Sequence, residues 1–161
     1  MRKKEPFIQV IYVQPLECAE VLTIQNTLEA KQKLVKGFIE CIMPFEEEVA
    51  IICNEESMLQ NLPPNRGLYD DTHELQTIIR GPFFLCYAPS DSEHFHSLPN
   101  DLLRKYGEMF FLPEVLVSKN DTFAMMKVCD DNQLKHYQEQ LKKENKALKA
   151  TMKKEEDIVW E

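Results

Sequence analysis

Arg66 and Arg80 are the only cations between Glu40 and Glu93, a span that carries eleven acids. A guanidinium in such surroundings has two chemical uses. Its fork of N–H donors can grip a carboxylate or phosphate on a ligand, or it can neutralise a carboxylate of its own chain. Asn54 and Asn65 stand close enough in sequence to add neutral hydrogen bonds, and Glu55, Glu56 and Asp70 are the carboxylates within reach. Asn54, Glu55, Glu56, Asn65 and Arg66 are therefore the expected ligand-binding set, with a small anionic ligand as one candidate, and salt-bridging of Arg66 to Glu55, Glu56 or Asp70 as the internal alternative.

Other chemistry has weaker support. DSEHFHS places His94 and His96 beside Asp91 and Glu93, a composition able to bind a metal, but no third soft ligand has a supporting spacing. Surface histidines in a polar loop are expected. Cys53, at the end of VAIIC, is the one candidate thiol nucleophile, and it would need a histidine brought close by the fold. The chain has no P-loop, no Rossmann glycine fingerprint, no HExxH and no GxSxG, and its four glycines (Gly37, Gly67, Gly81, Gly107) cannot build a glycine-rich phosphate cradle. No catalytic residue, metal or cofactor is assigned.

These residues are positioned by elements that the hydrophobic pattern reveals. FIQVIYV alternates and is rich in β-branched residues, which reads as a first strand, and CAEVLTI as a second. TLEAKQKLVKG has Leu28, Ala30, Leu34 and Val35 at near-helical spacing, with Asn26 as the expected N-cap and Gly37 as the expected stop. Two short strands flank the acidic turn between Pro44 and Glu48. The chain from Asn54 to Tyr69 is expected to be a stiff loop, because Pro63 and Pro64 force an extended course and Asn65 and Gly67 suit tight turns. LQTIIRGPFFLCYAP reads as a strand broken by Gly81 and Pro82, with the proline suggesting an edge position or a bulge. A short helix in LPNDLLRKYGEMFFLP and two extended runs, EVLVSKN and TFAMMKV, follow. The fold class expected is α+β: a mainly antiparallel sheet of four to six strands with two or three helices, plus a C-terminal helix. The expected boundaries are 1–118 for the α+β domain and 119–161 for a mostly helical extension. In that extension Leu134, Tyr137, Leu141, Leu148 and Met152 form a narrow stripe, which packs on its own domain or allows self-association.

The chain has 161 residues and a formal net charge of −8, enough for one domain with a real core. Its longest apolar runs are five or six residues, far short of the roughly 20 that a spanning helix needs, so no membrane partner is expected. The N-terminus passes from basic residues directly into the alternating strand, without a signal-peptide apolar region. Cys18, Cys41, Cys53, Cys86 and Cys129 are odd in number and lack close pairs. Buried free thiols and a cytoplasmic location follow as expectations. The acidic centre repels phosphate backbones, which disfavours direct nucleic acid binding by that region.

IYVQP, NTLEAKQKLVKGFIE, PFEEEVAIICNEESMLQNLPPNRGLYD and IIRGPFFLC together resemble the domain-of-unknown-function family 3846. The resemblance covers about residues 7 to 116, and Cys53 to Leu68 is its most specific part. Members of that family occur in gut bacteria and on phages, plasmids and conjugative elements. The resemblance implies an accessory protein that acts in element transfer or host takeover. The expected function is a non-enzymatic binding module for a host protein or a small anionic ligand. An acidic DNA-mimicking decoy is the first alternative, and a hydrolase with a metal held by Glu55, Glu56 and Asp70 is the second.

Overall fold

The computed structural model describes residues 2–156. In chain order the elements are β1 (Phe7–Val13), β2 (Glu20–Gln25), α1 (Leu28–Val35), β3 (Ile39–Ile42), β4 (Val49–Asn54), β5 (Pro64–Tyr69), β6 (Leu75–Arg80), β7 (Phe83–Tyr87), α2 (Asn100–Met109), β8 (Glu114–Lys119), β9 (Thr122–Lys127) and α3 (Asp131–Glu156). The class is α+β. Its main sheet has five antiparallel strands in the order β2-β1-β7-β4-β3, and β5–β6 and β8–β9 form two separate hairpins.

Period-2 alternation splits the sheet into two apolar faces. Ile8, Val10 and Tyr12 of β1, Ala50 and Ile52 of β4, and Phe84 and Cys86 of β7 cluster with Val35 of α1. The intervening residues Ile11, Val13, Val49, Ile51, Phe83 and Leu85 cluster instead with Leu102, Tyr106 and Phe110. Those three recur every four residues, so α2 lays a single stripe on the sheet. All six residues of β4 are buried, as befits a strand paired on both sides, with β7 and β3.

Several local expectations change. Thr27, not Asn26, caps α1 through its side chain, which accepts from Ala30 N, and Lys36, not Gly37, takes the left-handed conformation that ends the helix (φ 62°). Asn26 is buried instead, with Nδ2 donating to Glu5 O and Phe95 O, both at 2.9 Å. The stretch after Asn54 holds a turn and then a strand, β5, rather than one long loop. β7 is the middle strand of the sheet and not an edge, because Pro82 falls between β6 and β7 and removes no ladder hydrogen bond from either. All five cysteines are free, but only Cys53 and Cys86 are buried, while Cys18, Cys41 and Cys129 are exposed.

The chain divides into two compact units, Met1–Lys127 and Val128–Glu161. β8 and β9 pair from Glu114↔Lys127 to Lys119↔Thr122, so this hairpin runs across position 118. In the second unit Asp130 caps α3, its Oδ1 accepting from Asn132 N at 2.8 Å and Gln133 N at 3.1 Å. Leu134, Tyr137, Leu141 and Leu148 lie on that helix; the side chain of Met152 and residues 157–161 fall outside the described region. Among the described residues no helix is long and apolar enough to cross a membrane.

Candidate functional site

Asn65 is the extra residue of a β-bulge, since Pro64 pairs with Arg80 and Arg66 with Ile79. The bulge turns both side chains inward. Asn65 Nδ2 donates to Val13 O (3.0 Å) and Gly81 O (2.8 Å), and its Oδ1 accepts from Arg66 Nη1 (2.9 Å). Arg66 is 0% exposed. Its Nε donates to Phe110 O at 3.1 Å and its Nη2 to Glu17 O at 2.6 Å. The Glu114 carboxylate lies 4.0 Å from Nε. Burial pulls the guanidinium down to about 10, with Glu114 opposing the shift, so it is charged at neutral pH. The expected exposed grip at Arg66 is thus corrected: the residue ties β5 to the end of α2 and to the β1–β2 turn. Its internal carboxylate is Glu114, not Glu55, Glu56 or Asp70, because strand pairing rather than sequence proximity selects its neighbours.

Asn54 is equally committed. Its Nδ2 donates to Val35 O (3.0 Å), Lys36 O (3.3 Å) and Gln60 Oε1 (3.1 Å), and its Oδ1 accepts from Glu56 N (2.7 Å). It closes the C-terminal end of α1, whose carbonyls have no intrahelical donors. Glu55 is exposed and Glu56 half-buried. Burial, with Glu40 adding to it, pushes the Cys53 thiol up to about 11, the reverse of what a nucleophile needs. Among the described residues no three or more His, Cys, Asp or Glu side chains gather as a metal site would require. His94 is exposed, but His96 is 5% exposed and therefore not the surface residue expected.

The structure assembles a different site. A cavity of about 710 Å³ opens between the β3–β4 turn, β5 with its following turn, α2 and the β8–β9 hairpin. Phe45, Leu68, Tyr106 and Phe110 supply its apolar surface, with the Phe45 and Tyr106 rings 4.6 Å apart. Glu46, Glu47, Asp70 and Asp71 line it as acids, against Lys105 and Lys127. Asp70 is spent on its turn, accepting from Thr72 N (2.9 Å), Thr72 Oγ1 (2.7 Å) and Glu74 N (3.0 Å). Glu47 Oε1 accepts from Lys105 Nζ and from Tyr106 OH at 3.1 Å. Lys105 holds the Glu47 carboxyl below its ordinary value, while burial and then Glu47 push the Tyr106 hydroxyl up to about 12. Deeper in, Glu114 is 4% exposed and its Oε1 accepts from Gly67 N at 3.1 Å; burial raises its carboxyl. A second cavity of about 440 Å³ lies between β1–β2 and α2, and Gly107 contributes to its wall.

Sequence reasoning missed Lys105, Tyr106 and Glu114. Tyr106 carries a signal as the middle one of three residues at four-residue spacing, Leu102 and Tyr106 on α2 and Phe110 at its C-cap, but that signal reads as core. The run Glu46–Glu48 reads as a solvated turn, and no local pattern brings Glu114 back to β5. No curated protein and no solved structure matches the chain significantly. The sequence profile described as "Domain of unknown function (DUF3846)" matches residues 8–111, a stretch that runs from β1 to the end of α2 and includes most of the cavity wall. The chain belongs to the DUF3846 family.

Proposed function

We propose that this protein is a binding module whose cavity between α2 and the β5–β6 hairpin receives a basic side chain of a partner protein. The observation that carries the reading is the composition of that cavity: aromatic rings Phe45, Tyr106 and Phe110 share its lining with the carboxylates Glu46, Glu47 and Asp71 and the buried Glu114. Rings and carboxylates together favour a cation, through the quadrupole of the ring and through direct ion pairing. The chain itself offers an example. Lys105 Nζ sits 5.5 Å from the Tyr106 ring centroid while bound to Glu47.

This chemistry replaces an anionic ligand with a cationic one, because Arg66, the guanidinium expected to hold an anion, is internal. The partner is a protein of the host, and the module is an accessory protein of a gut bacterium or of its phages and other mobile elements. A cytoplasmic location agrees with five free cysteines. The acids Glu46, Glu47, Asp70 and Asp71 converge on one cavity, whereas a DNA-mimicking decoy needs them spaced along a surface like phosphates.

Titration calorimetry with short peptides tests the reading. A peptide carrying a central Arg or Lys between apolar residues should bind, and adding 0.5 M salt should weaken it, since salt screens exposed ion pairs. The double variant Glu46→Gln with Asp71→Asn should weaken binding by about tenfold or more, or about 1.4 kcal/mol. Equal binding of an acidic peptide of the same length would overturn it.

A further inference from the structure

His96 stands at the end of β7, where its backbone pairs with Tyr87 through Tyr87 N to His96 O at 2.9 Å and His96 N to Tyr87 O at 2.8 Å. Its ring is thereby held in place. One ring nitrogen, Nε2, is 2.7 Å from Ser92 Oγ. The other, Nδ1, is 3.5 Å from Glu5 Oε2. The carboxylate is itself anchored, since Glu5 Oε2 accepts from Ser97 N at 2.7 Å. The serine sits on a tight turn, with Ser92 N donating to Pro89 O at 3.1 Å and Oγ accepting from His94 N at 3.1 Å.

A carboxylate facing Nδ1 favours the tautomer that carries its proton there. Nε2 is then the acceptor, and the Ser92 hydroxyl must donate to it. A serine hydroxyl donating to a histidine, which in turn faces a carboxylate, is the arrangement that raises the nucleophilicity of an alcohol. The three residues come from the segment before β1 and from the loop after β7, and none of them lines either cavity described above. With one Oγ lone pair taken by His94 N and the proton directed at Nε2, the second lone pair is left to attack an electrophile.

We propose that Ser92 is a nucleophile activated by His96, with Glu5 as a positioning residue, and that it accepts acyl groups from small activated esters. Oγ bonds to the carbonyl carbon as its proton passes to His96 Nε2. The carbon–oxygen bond to the alcohol breaks, and the departing alkoxide takes the proton from Nε2. Water then attacks the Ser92 ester with its proton going to Nε2, and that proton returns to Ser92 Oγ as the free acid leaves. The serine lies outside both cavities, so the ester's own leaving group, rather than a binding pocket, must supply the reactivity. The inference is independent of the cation-binding reading of the other site.

The test uses the full chain and a fluorophosphonate probe, which phosphonylates an activated serine with loss of fluoride. Peptide mapping should place the label on Ser92, at a rate about 100-fold above that of the urea-unfolded chain, the order that a positioned general base contributes. Ser92→Ala should abolish the label, and His96→Gln should slow it by about 100-fold. Glu5→Gln retains the acceptor for Ser97 N. It should lower the rate at saturating probe by about tenfold while leaving the half-saturating concentration unchanged, a split that loss of packing alone does not produce. Because His96 is buried, its variant is read only if its circular dichroism matches the parent, and the comparison of folded with unfolded wild type decides otherwise. Labelling that is absent, equal in the unfolded chain, or directed to another serine overturns the proposal. An unchanged rate in Glu5→Gln removes Glu5 from it.

Discussion

The two faces of the five-stranded sheet bury similar apolar rows but treat their cations differently. On the α1 face, Lys31 is 7% exposed, donates to Asn26 Oδ1 at 2.7 Å and lies 5.2 Å from the Phe95 ring centroid. On the α2 face, Arg66 reaches Phe110, Glu17 and Asn65 and faces Glu114. Lys31 seals the edge of a packed layer. Arg66 joins three separate segments, and the larger cavity opens beside them. The difference teaches that the α1 face closes by apolar packing, whereas the α2 face holds its shape through polar bonds and leaves a cavity beside them.

The strongest way to break this comparison is Arg66→Gln. It removes the charge opposite Glu114 and leaves buried carbonyls without donors, so the expected loss is about 3–5 kcal/mol in urea unfolding. A loss below about 1 kcal/mol would mean that the α2 face does not depend on its polar joint.

Alkaline pH probes the same face more gently. Tyr106 has a folded value raised from 10.0 to about 12. A raised acid contributes stability that is fully present below pH 10 and is lost as pH rises through about 12. Tyr106→Phe should cost about 1 kcal/mol at neutral pH through the lost bond to Glu47. It should also flatten the decline between pH 10 and 12, read from urea midpoints at each pH. An unchanged slope would assign that decline to other groups.

Lys31→Met should give the smallest effect, within about 1 kcal/mol of wild type. The lost hydrogen bond to Asn26 Oδ1 is offset by removing a buried ammonium for which, among the described residues, no ion pair is found, and the flexible apolar side chain fills its space. A loss comparable to that of Arg66→Gln would erase the distinction between the two faces.

The main sheet was legible because β1, β4 and β7 carry alternation or continuous apolar runs that only strands on a packed core produce. α3 was legible from its spacing and start signals, and α2 was read as a short helix although no side chain caps its start at Pro99. The position of Arg66 was not, because the sequence shows that Pro63, Pro64 and Gly67 constrain the backbone but not which way a bulged strand faces. Its carboxylate, Glu114, belongs to another hairpin. The same holds for Glu5 and His96, which meet only once β1 and β7 are paired. Pro82 suggested an edge or a bulge, and neither occurs in β7, because a proline one residue before a strand and one within it look alike in sequence.

The strand order β2-β1-β7-β4-β3 also bears on how the chain is made. Two hairpins, β1–β2 and β3–β4, precede their shared neighbour in sequence, and β7 ends only at Tyr87. During synthesis at about 5–20 residues per second, the inner edges of β1 and β4 emerge before the strand that joins them. Those edges belong to strands rich in isoleucine and valine, so the nascent chain passes through a stage in which two unpaired apolar ribbons face the cell. Completion of the sheet is then a non-local step of the kind that slows folding. A chaperone that holds extended apolar segments should engage ribosome-bound chains stalled before Phe83 and release those in which β7 has cleared the exit tunnel.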